Sequence, residues 1–349
     1  MIEFDATKAA IITIVTGLIG LIININVARA VKKCSQFGYA FGMLCLSQTI
    51  SNIGNCLVFI FMAGGITLIN PDWHYTYAGR RLGQLLIFFW EASIVSHLFI
   101  SANRAVAVNF PTRYNRIFGD KTLTRIIVAT VWLISFLQAF PYTFPVCSQQ
   151  FDPTSFTLSY ADGWCGELTQ KYGDLAVSIV IISLISFLDI TSFMRLCQLR
   201  KAHSNNRASS KEIRLFFQAC VQSLVLMFCE CSFFYLSPGP MVFAVFLASY
   251  LTVCVGIVGL IINVNVALAV RKCRNFGYAF GTLCLSQTIS NIGNCLVFSF
   301  LTGGITLVIV VIAFSREIRR IICRVEKVAP ARQLVFATSG AHTTPSRKF

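Results

Sequence analysis

Eight stretches of this chain are long and apolar enough to cross a lipid bilayer, and that feature rules out most soluble architectures. They lie near residues 9–31, 39–63, 82–103, 126–147, 173–197, 213–236, 242–270 and 277–301. A hydrocarbon core of about 30 Å takes about 20 helical residues. Backbone N–H and C=O groups find no water there, so only helices or closed barrels span it. Uninterrupted runs of this length predict helices, since a barrel strand needs only about half as many residues. Composition agrees: 56% of residues are apolar and 12% are charged, about half the charged share of a soluble domain. The expected fold class is an all-α multi-pass membrane protein.

Charge sorting predicts an orientation. Basic clusters Arg29/Lys32/Lys33, Arg104–Arg125, Arg195–Arg214, Arg271–Arg274 and Arg316–Lys327 alternate with acidic or neutral links, such as Glu3/Asp5 and Asp152–Asp174. Short cytoplasmic loops carry the excess of Lys and Arg. With the tail included, 25 of the 29 basic residues fall on one side. This places the N-terminus outside and the first loop inside. The formal charge of +15 then reflects topology. Nucleic acid is not expected as a partner, because no basic stripe lies on a soluble element with aromatic readers. Glu3 and Asp5 precede the first apolar run and three basic residues follow it. That is the reverse of a cleavable signal peptide, so the first helix is expected to be its own insertion signal. Ile305–Phe314 supplies about 15 Å of helix, and Ile305–Ile322 is expected to form a short ninth crossing that returns the basic tail to the cytosol.

Most of the fourteen cysteines lie in apolar runs, where a thiol behaves as a small hydrophobe. Cys147 and Cys165 differ, because they bracket the longest outside loop, where disulfides persist. Bonded to each other, they would close a loop of about 18 residues and contribute roughly 3 kcal/mol. Cys323 sits among basic residues at an inner membrane edge, as do Cys34 and Cys197, and is a candidate for palmitoylation as well as a plain cytosolic thiol.

Residues 17–68 recur at 256–307 with a constant shift of 239 positions, and 41 of the 52 aligned residues are identical. A solenoid repeats every unit weakly, whereas only the first two helices are copied here and 69–239 has no second copy. Three regions follow: 1–236, holding helices one to six; 237–307, the near-copy of helices one and two with 242–270 in the seventh-helix slot; and 308–349, a short apolar end, a basic amphipathic segment and a tail. The asymmetry points to recent duplication or to a chain joined from two neighbouring genes.

Glu91, His97, Asp189 and Glu230 are ionisable residues inside spans. Burial in lipid costs them several kcal/mol, so they should face the bundle or a wet cavity. Two acids, Glu91 and Glu230, lining one pocket would favour a cationic or hydrogen-bond-donating ligand. The alternative is that each carboxyl is protonated and ties neighbouring helices together. His97 has no second His or Cys at metal spacing, and packing is its expected role. Asn52 and Asn55, one turn apart, suit interhelical hydrogen bonds. No phosphate loop, His-Glu-x-x-His or Gly-x-Ser-x-Gly occurs, so neither an enzyme activity nor a cofactor nor a metal is expected.

Ser96–Phe118, SHLFISANRAVAVNFPTRYNRIF, ends a span in Asn103-Arg104 and continues through Pro111, Tyr114 and Arg116. Together with FGYAFGMLCLSQTISN entering the second helix and WCGEL in the second outer loop, it makes residues 9–236 resemble a nematode serpentine receptor of class x. That is a chemosensory seven-helix family distantly related to rhodopsin-like receptors. The resemblance implies a seven-helix bundle with an extra C-terminal helix pair, a small extracellular ligand, a heterotrimeric G protein as partner, and a plasma-membrane location on a sensory-neuron cilium. It makes Asn103, Arg104, Pro111 and Tyr114 the candidate G-protein-coupling residues. The chain departs from the rhodopsin-like pattern at several points. Asn103 stands where an acid usually precedes the arginine, no Asn-Pro-x-x-Tyr occurs, and no cysteine lies near Gly79–Arg81 to bridge the third helix to the second outer loop. With no adjacent acid, Glu212 at the start of the sixth helix is the expected resting partner of Arg104. A transporter, which is often built from repeats, and a non-functional fused gene product are the alternative readings.

Overall fold

The computed structural model describes residues 6–33, 39–154 and 157–202. The sixth and later expected spans, the near-copied segment, the ninth crossing, Cys34, Glu212, Glu230 and Cys323 lie outside the described residues. Within them the chain is an all-α multi-pass membrane protein with five helices long and apolar enough to cross a membrane.

Helix α1 is Ala6–Lys33 and α2 is Tyr39–Ile69. Helix α2 widens into a π turn over Ile60–Ile66 before its last residues, Thr67–Ile69. A 3-10 turn, Pro71–Tyr75, leads into α3, Tyr77–Asn109, whose N-cap Thr76 accepts from the Gly79 N–H. Helix α3 stops at Asn109 because Phe110 precedes a proline and is held out of helical geometry, with φ −133° and ψ 58°. Pro111 then opens a short helix, α4, Pro111–Phe118, since its ring pre-sets φ and its missing N–H is not needed at the first helical position. The basic stretch that follows α3 is therefore helical.

Asp120 caps α5, Lys121–Ala139, by accepting from the Thr122 N–H at 2.8 Å. The apolar run expected to continue to 147 ends as helix at Ala139. Pro141 and Pro145 each start a 3-10 turn, because proline lacks the donor a continuing helix needs. Apolarity alone did not reveal that break. Strands β1, Gln149–Asp152, and β2, Thr157–Tyr160, then pair antiparallel. The Thr154 N–H donates to Asp152 Oδ1 at 2.9 Å, a side-chain-capped turn of the kind aspartate favours. Helix α6 starts as Trp164–Leu168, passes through a second π turn over Thr169–Ala176 and runs on as Val177–Ala202.

Helix α3 is the central column, packed by α2, α5 and α6. Lipid is as apolar as leucine, so helices associate in it through close approach and polar contacts. Both appear at the α2–α3 seam. A methyl group on Gly54 would overlap the Phe89 ring, so glycine there sets the approach. Ser47 and Ser96 hydroxyls meet at 3.1 Å, Ser93 Oγ donates to Asn52 Oδ1 at 2.8 Å, and Gln48 Nε2 lies 3.2 Å from His97 Nδ1. Such bonds contribute about 0.6 kcal/mol each. His97 and Asn52 thus serve the seam between helices. One apolar cluster, including Met62, Leu86, Phe151 and Leu158, packs at the hairpin end, and another, including Val27, Leu44, Ile100 and Phe118, packs at the basic end.

Candidate functional site

Arg104 lies five residues before the end of α3, and its side chain turns into the bundle. Helical side chains lean toward the helix N-terminus, which carries the guanidinium to Ser101 one turn back. Nη2 donates to Ser101 Oγ at 2.9 Å. The same nitrogen donates across the bundle to Asp189 of α6, at 3.0 Å to Oδ1 and 3.4 Å to Oδ2. The pair is largely buried: the Arg104 side chain is 12% exposed and that of Asp189 1%. Glu212, the expected resting partner of Arg104, lies outside the described residues; within them the carboxylate facing Arg104 belongs to Asp189. Asp189 was visible in the sequence as an acid inside a span. The available signal was that a buried carboxylate requires a cation, while Arg104 lacked an acid beside it.

Asn103 and Tyr114, both sequence-derived candidates, come together: Asn103 Nδ2 donates to the Tyr114 hydroxyl at 3.4 Å. Tyr114 also stacks on Phe118, with ring centroids 5.7 Å apart, and packs on the basic-end apolar cluster. Helix α4 is thereby tied to α3 one residue from Arg104. Pro111 acts through the backbone by starting α4. A chemical arrangement results in which a buried cation sits beside an exposed basic helix, Arg113 and Arg116 being exposed, held inward by a carboxylate from another helix.

The hairpin end carries a second group of polar side chains. Cys147 and Cys165 are bonded to each other, with Cα atoms 4.9 Å apart. This bond ties the residue pair before β1 to the start of α6. The hairpin lies on α3 at Gly83, where a methyl group would strike the Gln149 carbonyl oxygen. Arg81 Nη2 donates to the Tyr142 and Thr143 carbonyls at 3.2 and 2.9 Å. The Tyr160 hydroxyl donates to Asp174. Tyr142, buried beside Ile87 and Tyr160, lies within electrostatic range of both Asp174 and Glu91. Burial first, and then the Asp174 carboxylate, push its phenol well above the ordinary tyrosine range, so it stays neutral. Glu91 is 1% exposed and Asp174 5%. Two buried acids therefore lie around Tyr142 below the hairpin, of which Asp174 was not anticipated from sequence.

His74, in the turn between α2 and α3, is fully buried between Thr67 and the hairpin. Its Nε2 lies 3.0 Å from Thr67 Oγ1, and its ring lies 5.0 Å from that of Phe151. Burial lowers its pKa to about 4, against a smaller opposing pull from Asp152.

The family described as serpentine type 7TM GPCR chemoreceptor Srx matches this chain over residues 14–257 and again over 253–324, the second match falling on the near-copied segment. Among curated proteins, the chain is 24% identical over 246 residues to serpentine receptor class X 45 of Caenorhabditis elegans, which covers 66% of each protein. It is 25% identical over 237 residues to serpentine receptor class X-43 of the same organism, covering 64% of this chain and 70% of that one. The first match thus spans 66% of the relative's length. A family match across most of the chain, on a multi-pass helical frame with a buried arginine at the basic end of its central helix, shows that the chain belongs to the Srx family of serpentine seven-transmembrane chemoreceptors.

Proposed function

We propose that this receptor is a G-protein-coupled chemoreceptor of the plasma membrane of a sensory-neuron cilium. In this reading the hairpin end faces outside and takes a small ligand, and the basic end faces a heterotrimeric G protein. The orientation follows from the basic clusters, which favour the cytoplasmic side. The Arg104–Asp189 pair is the observation that carries the reading. A guanidinium held inward by a carboxylate on another helix gives a closed face that separation of α3 from α6 would open. Ligand binding at the far end would shift the population toward that open state. Asn103, Pro111 and Tyr114 position α4 as the surface beside Arg104. Glu91 and Asp174 favour a cationic or hydrogen-bond-donating ligand between the helices under the hairpin. Glu230 belongs to the same proposal from sequence, as do Glu212 at the coupling face and palmitoylation at Cys323.

Arg104→Ala tests the reading. The variant should reach the cell surface and still bind ligand, yet fail to drive nucleotide exchange on the G protein. Normal exchange by this variant would refute the assigned role of Arg104.

A further inference from the structure

We propose that the basic ends of α2 and α5 form a site for the headgroup of an anionic phospholipid, held by Lys121 and Arg125 around Tyr39, with its acyl chains lying along α5. Tyr39 begins α2 and Lys121 begins α5, each at the point where a membrane span starts. Arg125 Nε donates to the Tyr39 hydroxyl at 3.1 Å. The Lys121 ammonium stands over the same ring, 5.8 Å from its centroid. Two cations one helical turn apart therefore converge on one phenol, and all three side chains are exposed. Like charges so placed repel, and the ion pairs Arg104–Asp189 and Lys171–Glu167 both lie elsewhere. The neighbouring acid, Asp120, is engaged in capping α5. Because Nε is the arginine nitrogen tied to Tyr39, the remaining guanidinium donors are left for an oxyanion, together with those of the ammonium.

The surface beyond the cations argues for a lipid as the source of that oxyanion. Ile126, Leu133 and Phe136 on α5 are each more than half exposed. Phe136 lies eleven residues past Arg125, about 16 Å along the helix, which matches the hydrocarbon depth of about one leaflet. A free phosphate would use the cations and leave this apolar track unused. Basic pockets between membrane helices on the cytoplasmic side suit acidic headgroups. Only the choice of leaflet rests on the orientation proposed above; the binding itself does not.

The test is native mass spectrometry of the full chain, purified in detergent and stripped of lipid. Phosphatidylinositol 4,5-bisphosphate and phosphatidylcholine are added separately, with inorganic phosphate as competitor. The inositide should be retained in preference to phosphatidylcholine. The double variant Lys121→Gln/Arg125→Gln should weaken its retention about 30-fold, which corresponds to about 1 kcal/mol for each basic residue lost. Tyr39→Phe, which removes only the tethering hydroxyl, should give a smaller loss with an unchanged unfolding temperature. Arg80→Gln, at the opposite end of the bundle, should leave retention unchanged. Equal retention of phosphatidylcholine, unchanged retention by the double variant, or displacement of the inositide by inorganic phosphate at equal concentration would each overturn the site. Because no G protein enters the assay, its failure leaves the coupling reading standing, and failure of coupling leaves the lipid site standing.

Discussion

Asp189→Asn isolates the charge of the buried pair from its shape. The amide keeps the volume and a hydrogen-bond acceptor 3.0 Å from Arg104 Nη2 while removing the negative charge. A guanidinium only 12% exposed then sits in the bundle without its carboxylate. Removing one partner of a buried pair costs about 3–5 kcal/mol. Part of that is recovered here, because Arg104 keeps its bond to Ser101 Oγ and is not completely sealed from water. About 2 kcal/mol of net loss to the closed state is therefore expected, or about 30-fold in the closed-to-open equilibrium. The assay is ligand-free nucleotide exchange on the G protein by purified receptor in nanodiscs, normalised to receptor amount. Exchange should rise about 10- to 30-fold for Asp189→Asn, and Asp189→Glu, which restores the charge, should return it most of the way to the parent rate. If Asp189→Asn leaves ligand-free exchange flat in a receptor that still responds to ligand, the pair is not what holds the inner face closed.

Two further outcomes follow from the hairpin end. Neither Cys147 nor Cys165 should alkylate without reductant, as read by peptide mass spectrometry, and Cys147→Ser should lower the unfolding free energy of the purified receptor by about 3 kcal/mol. His74 should make stability pH-dependent. Its folded pKa of about 4 lies below the ordinary 6.5, so the unfolded chain binds the proton more readily. The stability this contributes is fully present above pH 6.5 and is lost as pH falls from 6.5 toward 4, by up to about 3 kcal/mol at the bottom of that window. Thermal unfolding across that range should show the loss, and His74→Gln should flatten it; an equally steep loss in the variant would assign the pH dependence to other groups.

The first five spans, their helical character and the family were legible in the sequence for one physical reason. A bilayer imposes its constraint locally, so that a run of apolar residues must satisfy its own backbone whatever its neighbours do. The SHLFISANRAVAVNFPTRYNRIF block is likewise contiguous, and Asn103, Arg104, Pro111 and Tyr114 could be named from it. Even there, apolarity carried the fourth span to residue 147, whereas Pro141 and Pro145 end the regular helix at Ala139. Partnership across the bundle was not legible. Arg104 and Asp189 stand 85 residues apart, and Tyr160 reaches Asp174 only because the hairpin and α6 converge. Sequence marked Asp189 as a carboxylate in need of a cation and Arg104 as a cation short of an acid, with Glu212 an equally eligible partner on charge alone. Which acid reaches the guanidinium depends on helix rotation and depth, which side-chain packing sets and no linear pattern encodes. The tertiary structure alone decided it.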